Sequence, residues 1–370
     1  MRERLFAIDA VRGWVMIFMA LDHAMYFNYT HIVAEGYQGM RPEILPDIVH
    51  FITRFITHYC APTFIFLAGF SVALYGTRRS FHLSEAQITS KLLIRGCILL
   101  VLQIALVNWV WGFGSFQHLT SGYAVTYFGI LACIGCGIII LAWVRRIPPS
   151  LLATSSILIL LMIPFLLEWL PLLPENESVL LEIFLQPNTS GWLFVNYPLL
   201  PWIGVLGLGC ACGVWIVEHP GKITRLFYIM GIIFLAIWVI VRLGGGYGNL
   251  IAYQGEGIRD FMLMSKYPPS LVFLLWNLGG MSIALAGHSH LENHLHTVFP
   301  MKIIVSIGQV PLFFYIVHLY VYRMLSWTPL GGSLIMGYIA WIVGLCVMIP
   351  LCYGYRSLKQ NNPHSILQYL

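Results

Sequence analysis

Apolar stretches of roughly twenty residues, separated by short polar breaks, follow one another along the whole chain: Ala10 to Phe27, Phe51 to Tyr75, Leu92 to Trp111, Gly122 to Val144, Ser150 to Leu167, Trp192 to Val217, Leu226 to Leu243, Ser270 to Gly287, Ile303 to Tyr322 and Leu330 to Tyr353. About twenty apolar residues make a helix long enough for the ~30 Å hydrocarbon core of a bilayer. The pattern therefore predicts an all-α, polytopic membrane protein of about ten transmembrane helices. No composition break or internal repeat divides it, so residues 1–355 are expected to form a single transmembrane domain, followed by a short cytoplasmic tail over 356–370. The longest polar breaks, 28–50, 168–191 and 244–269, would shape one face of the bundle.

Composition strengthens this reading. Of 370 residues, 59% are hydrophobic and 9% charged, with a mean hydropathy of +0.80, whereas in soluble domains about a quarter are charged. Lys and Arg collect in alternate loops: Arg2, Arg4, Arg12, Arg78, Arg79, Lys91, Arg95, Arg145, Arg146, Lys222, Arg225, Lys302, Arg356 and Lys359 lie on one side, against Arg41, Arg242, Arg259, Lys266 and Arg323 on the other. That bias predicts both termini in the cytoplasm, and it accounts for the net charge of +5, so no nucleic-acid partner is inferred. The first span holds Asp9, Arg12, Asp22 and His23 and has no small-residue cleavage site, so it reads as a retained helix. The eight cysteines lie in or beside the spans and imply no disulfide framework; Cys133 and Cys136 have metal spacing but no second ligand pair. Glycosylation triplets start at Asn28, Asn176 and Asn188, and matter only in a secretory-pathway host.

Ionisable residues inside membrane helices are costly and mark function by default. Arg12 and His23 are eleven positions apart, so at 100° per residue they share one helix face within about 20°, separated by roughly 16 Å along the axis. Asp9 lies one turn before Arg12 and can pair with it. The second span opens with His50, Arg54 and His58 at i, i+4 and i+8. Counting ~1.5 Å per residue puts His23, His58 and His318 at similar depths in the outer half of the membrane, where three helices would bring them into one outward-opening cavity. Asp22 would stand beside His23, with Lys266 and Tyr267 at the rim. Neutral-range imidazoles beside carboxylates suit general acid/base chemistry on a hydroxyl or amine. Nothing like His-Glu-x-x-His fixes ligands, so no metal is expected, and the run His288, His290, His294, His296 reads as a solvated linker. Tyr26, Tyr29, Tyr37, Trp192, Tyr197, Trp202, Tyr247 and Tyr253 on the outer face suit stacking on sugar rings, as they suit an interfacial belt.

Several motifs in this order carry a family resemblance: Asp9-Ala-Val-Arg-Gly13 with Met19-Ala-Leu-Asp-His23, Thr57 to Gly69, Asn196-Tyr-Pro-Leu-Leu-Pro-Trp-Ile-Gly204, Ser265-Lys-Tyr-Pro-Pro-Ser270, Gly308 to His318, and the ending Leu367-Gln-Tyr-Leu370. The chain resembles bacterial membrane proteins that share the catalytic domain of lysosomal heparan-alpha-glucosaminide N-acetyltransferase, within the wider set of transmembrane acyltransferases that includes bacterial glycan O-acetyltransferases. The resemblance implies a multi-pass enzyme, expected in a bacterial inner membrane, that moves an acyl group, chiefly acetyl, from cytoplasmic acyl-CoA to an extracytoplasmic carbohydrate or amine. In the O-acetyltransferase relatives the Arg and His matching Arg12 and His23 are essential. The chain departs from the lysosomal enzyme, where Asn matches His23 and the catalytic His lies in the following loop; the base is therefore open between His23, His31 and His58.

On this reading Arg12, oriented by Asp9, binds donor phosphate, and the pantetheine arm threads between helices toward His23. His23, polarised by Asp22 or a helix partner and accompanied by His58 and His318, deprotonates the acceptor. Lys266 or Tyr267 stabilises the oxyanion, and Arg54, Asn196, Tyr197, Trp202, Lys266 and Tyr267 hold the acceptor. The alternative is a proton-coupled transporter or flippase of a small polar or glycolipid substrate, in which the same polar residues would form a relay.

Overall fold

Local sequence signals set the helix starts. Asp47 accepts from the amide of Val49 (2.8 Å), Ser84 and Gln87 form a capping box, and Ser270 and Ser333 accept from the amides of Phe273 and Met336. The computed structural model describes residues 5–43, 47–79, 83–113, 126–169, 179–190, 192–329, 331–362 and 365–368. In chain order these form α1 (Phe6–Asn28), β1 (Glu35–Tyr37), α2 (Ile48–Phe55), α3 (Cys60–Arg79), α4 (Glu85–Leu102), α5 (Asn108–Val110), β2 (Thr126–Phe128), α6 (Ile130–Val144), α7 (Pro149–Trp169) and α8 (Val179–Phe184). They continue with β3 (Asn188–Ser190), β4 (Leu193–Val195), α9 (Leu199–Glu218), α10 (Ile223–Gly244), α11 (Ile258–Phe261), β5 (Met264–Tyr267), α12 (Leu271–His290), α13 (Glu292–Leu295), α14 (Phe299–Gly308), α15 (Pro311–Leu325) and α16 (Leu334–Asn361). Arg2, Arg4, Asn176 and the start of the span expected from Gly122 lie outside the described residues, as do part of the 168–191 loop and the end of the Leu367–Leu370 motif.

The fold is a helical membrane bundle, but ten spans are not reached by length and composition. Seven described helices or helix pairs are long and apolar enough to cross a membrane, and α14 with α15 would make an eighth. Interrupted by Asp9, Arg12, Asp22 and His23, α1 is not among them, nor is α6 with its 15 residues. The stretch from Ile303 to Tyr322, expected as one helix, bends by 93° between α14 and α15. Pro311 explains the break: it supplies no amide for the i−4 carbonyl, and its ring clashes with that turn. The last helix runs to Asn361, past the expected domain end at 355. Asn28, which opens one of the glycosylation triplets, is buried and donates to the carbonyls of Ala24 (3.2 Å) and Tyr322 (3.4 Å).

The strands gather at the end of the bundle where α1 finishes and α6, α9 and α12 begin. There β1 pairs in parallel with β5, while β4 pairs in parallel with β2 and antiparallel with β3. Arg242, fully buried at the end of α10, braces this end. It donates to the carbonyls of Phe261, Ile251, Asp260 and Leu263 and to Asn249 Oδ1, all at 2.7–2.9 Å. Arg41 joins the two loops by donating to Asp260 Oδ1 (2.6 Å) and the Ala252 carbonyl (3.0 Å). Burial works against the Asp260 carboxylate, yet the amides of Glu256 and Gln254 and the Arg41 guanidinium hold its pKa below the usual range.

Candidate active site

The last turns of α1 bring Asp22 and His23 into a chamber of about 440 Å³ at the strand-bearing end of the bundle. Because α15 starts anew at Pro311, it runs beside α1 and sets His318 against His23, with His23 Nδ1 2.7 Å from His318 Nε2. His318 Nδ1 lies 2.8 Å from the Phe314 carbonyl, an acceptor only, so Nδ1 carries the proton there and Nε2 is left to accept. His23 Nδ1 must then donate, and its Nε2 keeps a lone pair. His23 lines the chamber; fully buried, His318 stands behind it.

Of the two partners expected for His23, Asp22 or a neighbouring helix, the hydrogen bond goes to the helix. The Asp22 carboxylate takes a hydrogen bond from Arg54 Nη1, and the partner of His23 is His318. Arg54 also grips Glu35 through Nη2 and through Nε (3.0 Å). Glu35 Oε2 further accepts from the Ala34 amide (3.0 Å) and lies 3.2 Å from His58 Nε2. His58 is therefore not in the chamber wall with His23: it is fully buried behind Glu35. The expected helical stripe fails because the chain tightens into a 3₁₀ turn over Ile56–Tyr59. His50 turns away to Asp47 Oδ2 (2.9 Å) and the Tyr29 hydroxyl (3.2 Å). Burial favours the protonated form of Glu35, but Arg54 and His58 outweigh it and hold the carboxyl well below its usual range.

The chamber wall also holds Arg54, Asn196, Tyr197, Lys266 and Tyr267. Asn196 Oδ1 is buried without a hydrogen-bond partner among the described residues. Lys266 is buried rather than at a rim, with Nζ 5.1 Å from the centre of the Tyr267 ring and no ion pair to a described carboxylate. The hydroxyls of Tyr267 and Tyr197 are 3.3 Å apart, and burial pushes the Tyr267 phenol up, so it remains a donor. Trp202 lies out of the chamber, fully buried, its ring 5.8 Å from that of Tyr197. Phe113, Tyr127 and Phe194, which the sequence did not single out, form a wall of near-parallel rings 5.4–6.0 Å apart. His31 also faces the chamber, edge-on to Tyr26.

Glu35 was missed as well. Its signal was indirect: a buried Arg54 needs a counter-charge, and Glu35 is an acidic residue in the loop nearest in sequence.

A second cavity, of about 140 Å³, continues toward the start of α1 and shares Phe64, Ile130 and Tyr315 with the chamber. Arg12 lies on its wall and donates to Asp9 Oδ1 (3.3 Å), the Gly308 carbonyl (3.3 Å) and Ser71 Oγ (3.2 Å). Among the described residues no cluster of three or more His, Cys, Asp or Glu has the arrangement to hold a metal.

No curated protein sequence matches the chain significantly. The family model described as heparan-alpha-glucosaminide N-acetyltransferase, catalytic, matches residues 4–244, which include Arg12, Asp22, His23, Glu35, Arg54 and the Asn196–Tyr197 pair. Lys266, beyond the matched part, completes the same chamber, and His318, also beyond it, backs His23. With the match running from α1 through α10 and over more than half of its length, the chain belongs to the heparan-alpha-glucosaminide N-acetyltransferase catalytic-domain family.

Proposed function

We propose that this protein is a membrane acetyltransferase that carries an acyl group from acyl-CoA, entering at the Arg12 end, to a hydroxyl or amine of a carbohydrate bound in the chamber. The observation that carries the reading is the His23–His318 pair, which leaves an acceptor nitrogen of His23 at the chamber wall. His23 Nε2 takes the proton of the acceptor as its oxygen or nitrogen attacks the thioester carbonyl. The tetrahedral oxyanion meets Lys266 or the Tyr267 hydroxyl. Collapse breaks the carbon–sulfur bond, and His23 returns its proton to the departing thiolate, giving the acylated acceptor and CoA.

The family supports acetyl transfer, and the smaller cavity supports a narrow donor path parallel to α1. Ring walls of Phe113, Tyr127 and Phe194 suit the apolar faces of a sugar. With α1 starting in the cytoplasm, the donor side would be cytoplasmic and the acceptor side extracytoplasmic.

The test is transfer of labelled acetyl from acetyl-CoA into the carbohydrate of vesicles carrying the protein. His23→Ala is expected to lower transfer by about 10²–10⁴. His318→Gln, whose amide oxygen can still accept from His23, should lose less than His318→Leu. Transfer that persists unchanged in His23→Ala removes His23 as the base. A wild-type protein that exchanges a solute across the vesicle wall without labelling any acceptor favours the transporter.

A further inference from the structure

The smaller cavity holds two guanidinium groups, Arg12 and Arg95, and no carboxylate among its described lining residues. They differ in what they do. Arg12 spends its terminal nitrogens on α1, α3 and α14 through Asp9, Ser71 and Gly308, so it ties three helices together. Arg95, on α4, has a buried Nε without a hydrogen-bond partner among the described residues and makes no ion pair with a described carboxylate. Arg95 is partly buried, a guanidinium stays charged at any physiological pH, and one with a buried, unpaired N–H in an apolar bundle is expensive to keep. Such a residue is retained for an anion that arrives with a ligand.

Size and length narrow the ligand. At about 140 Å³ the cavity is well below the ~300–1,000 Å³ of sites that enclose a whole drug-sized molecule, so it takes a segment of a longer ligand and leaves a nucleotide outside it. The helical rise from Arg12 to His23 is about 16 Å. A CoA thioester has about thirteen covalent bonds between its sulfur and the nearest phosphorus, which reach roughly 15 Å when three bonds advance ~3.3–3.6 Å. An arm of that length sets its phosphate at the arginines when its thioester is at His23.

We propose that Arg95 is the anion-holding residue of the donor site, receiving the phosphate next to the pantetheine arm while Arg12 holds the wall in place. This rests on the acyl-transfer reading and adds to it a residue and a division of labour between the two arginines. The guanidinium offers paired N–H donors to phosphate oxygens, which a lysine matches in charge but not in geometry.

The experiment compares binding of CoA and of pantetheine, which has the same arm without phosphate, to the full-length protein in detergent by calorimetry. Arg95→Gln should weaken CoA at least about tenfold and leave pantetheine within about twofold, and Arg95→Lys should fall between wild type and Arg95→Gln. The wild-type affinity for CoA should also decline with ionic strength more steeply than that of Arg95→Gln. Unchanged CoA binding in Arg95→Gln overturns the assignment, as does an equal loss of CoA and pantetheine in a variant that keeps the wild-type melting temperature. If Arg95→Gln does not fold, Arg95→Lys decides: CoA loss without pantetheine loss supports the seat, and equal behaviour toward both overturns it. A wild-type protein that binds neither compound removes the acyl-CoA reading itself, and with it this proposal.

Discussion

Arg54 has two carboxylate partners, Asp22 from α1 and Glu35 from the loop that follows. Its role is thus to join the turn of α1 that carries Asp22 and His23 to the strand layer. Glu35 is buried at 3% exposure, so its carboxylate survives only through Arg54, His58 and the Ala34 amide. Its folded-state pKa lies well below the 4.5 of an unperturbed group: burial opposes that shift, and Arg54 and His58 produce it. A depressed acid contributes stability that is fully present above the unfolded pKa and is lost as pH falls through the folded one. The stability of the wild type should therefore hold from neutrality down to about pH 4.5 and fall below it. Glu35→Gln should flatten that acid limb and cost on the order of 3 kcal/mol at neutral pH, because it leaves the Arg54 charge short of a partner. Melting temperatures in detergent from pH 3 to 8 check this; parallel curves for the two proteins would show that Glu35 is not the titrating group. Sequence reasoning found Arg54 because a charge in an apolar run is conspicuous. It missed Glu35 because a carboxylate in a polar loop looks solvated until the loop is known to fold inward.

At the level of elements, most apolar runs of the sequence become helices, because burying or lipid-facing side chains at helical spacing is a local property, but the run from Trp192 opens with β4 and its helix starts only at Leu199. The strands were not legible. Each is three or four residues long, and apart from the neighbouring β3 and β4 their partners are far away in sequence, as with Glu35 of β1 opposite Met264 of β5. The break before α15 had a signal in Pro311, but continuous hydrophobicity across it concealed the change of direction. That change lays α14 across α1. A Cβ on Gly308 would overlap the carbonyl of Asp9, and one on Gly13 would overlap that of Ile304, so each helix touches the other's backbone. Gly308→Ala is expected to force the pair apart, costing about 1–3 kcal/mol, and to displace Arg12 and α15 with it. Its melting temperature and acetyl transfer should both drop. Gly287→Ala on α12, where nothing lies within 4 Å of the added carbon, should leave both unchanged. Equal behaviour of the two variants would mean that close helix contact does not set the site.

Across the whole molecule, the chamber and the smaller cavity follow α1 from His23 to Arg12 and meet where Phe64, Ile130 and Tyr315 face both. The sequence disclosed the two ends of this path through the cost of placing Arg12 and His23 in a span. It did not disclose the junction, whose residues are ordinary apolar and aromatic side chains contributed by three separate helices. Ile130, the first residue of α6, is the one whose enlargement most directly fills that point. Ile130→Trp should leave a folded protein, at an overpacking cost of about 1–3 kcal/mol, while stopping the thioester short of His23. Since misplacing a reacting group by about 1 Å can cost ~10²-fold, transfer from acetyl-CoA should fall at least that far. Ile130→Ala widens the same point and should keep transfer within about tenfold of wild type. The pair separates passage from packing, because a residue needed only for stability would suffer in both directions. An Ile130→Trp protein that melts near the wild-type temperature and still transfers acetyl at the wild-type rate would mean that the donor reaches His23 by another route.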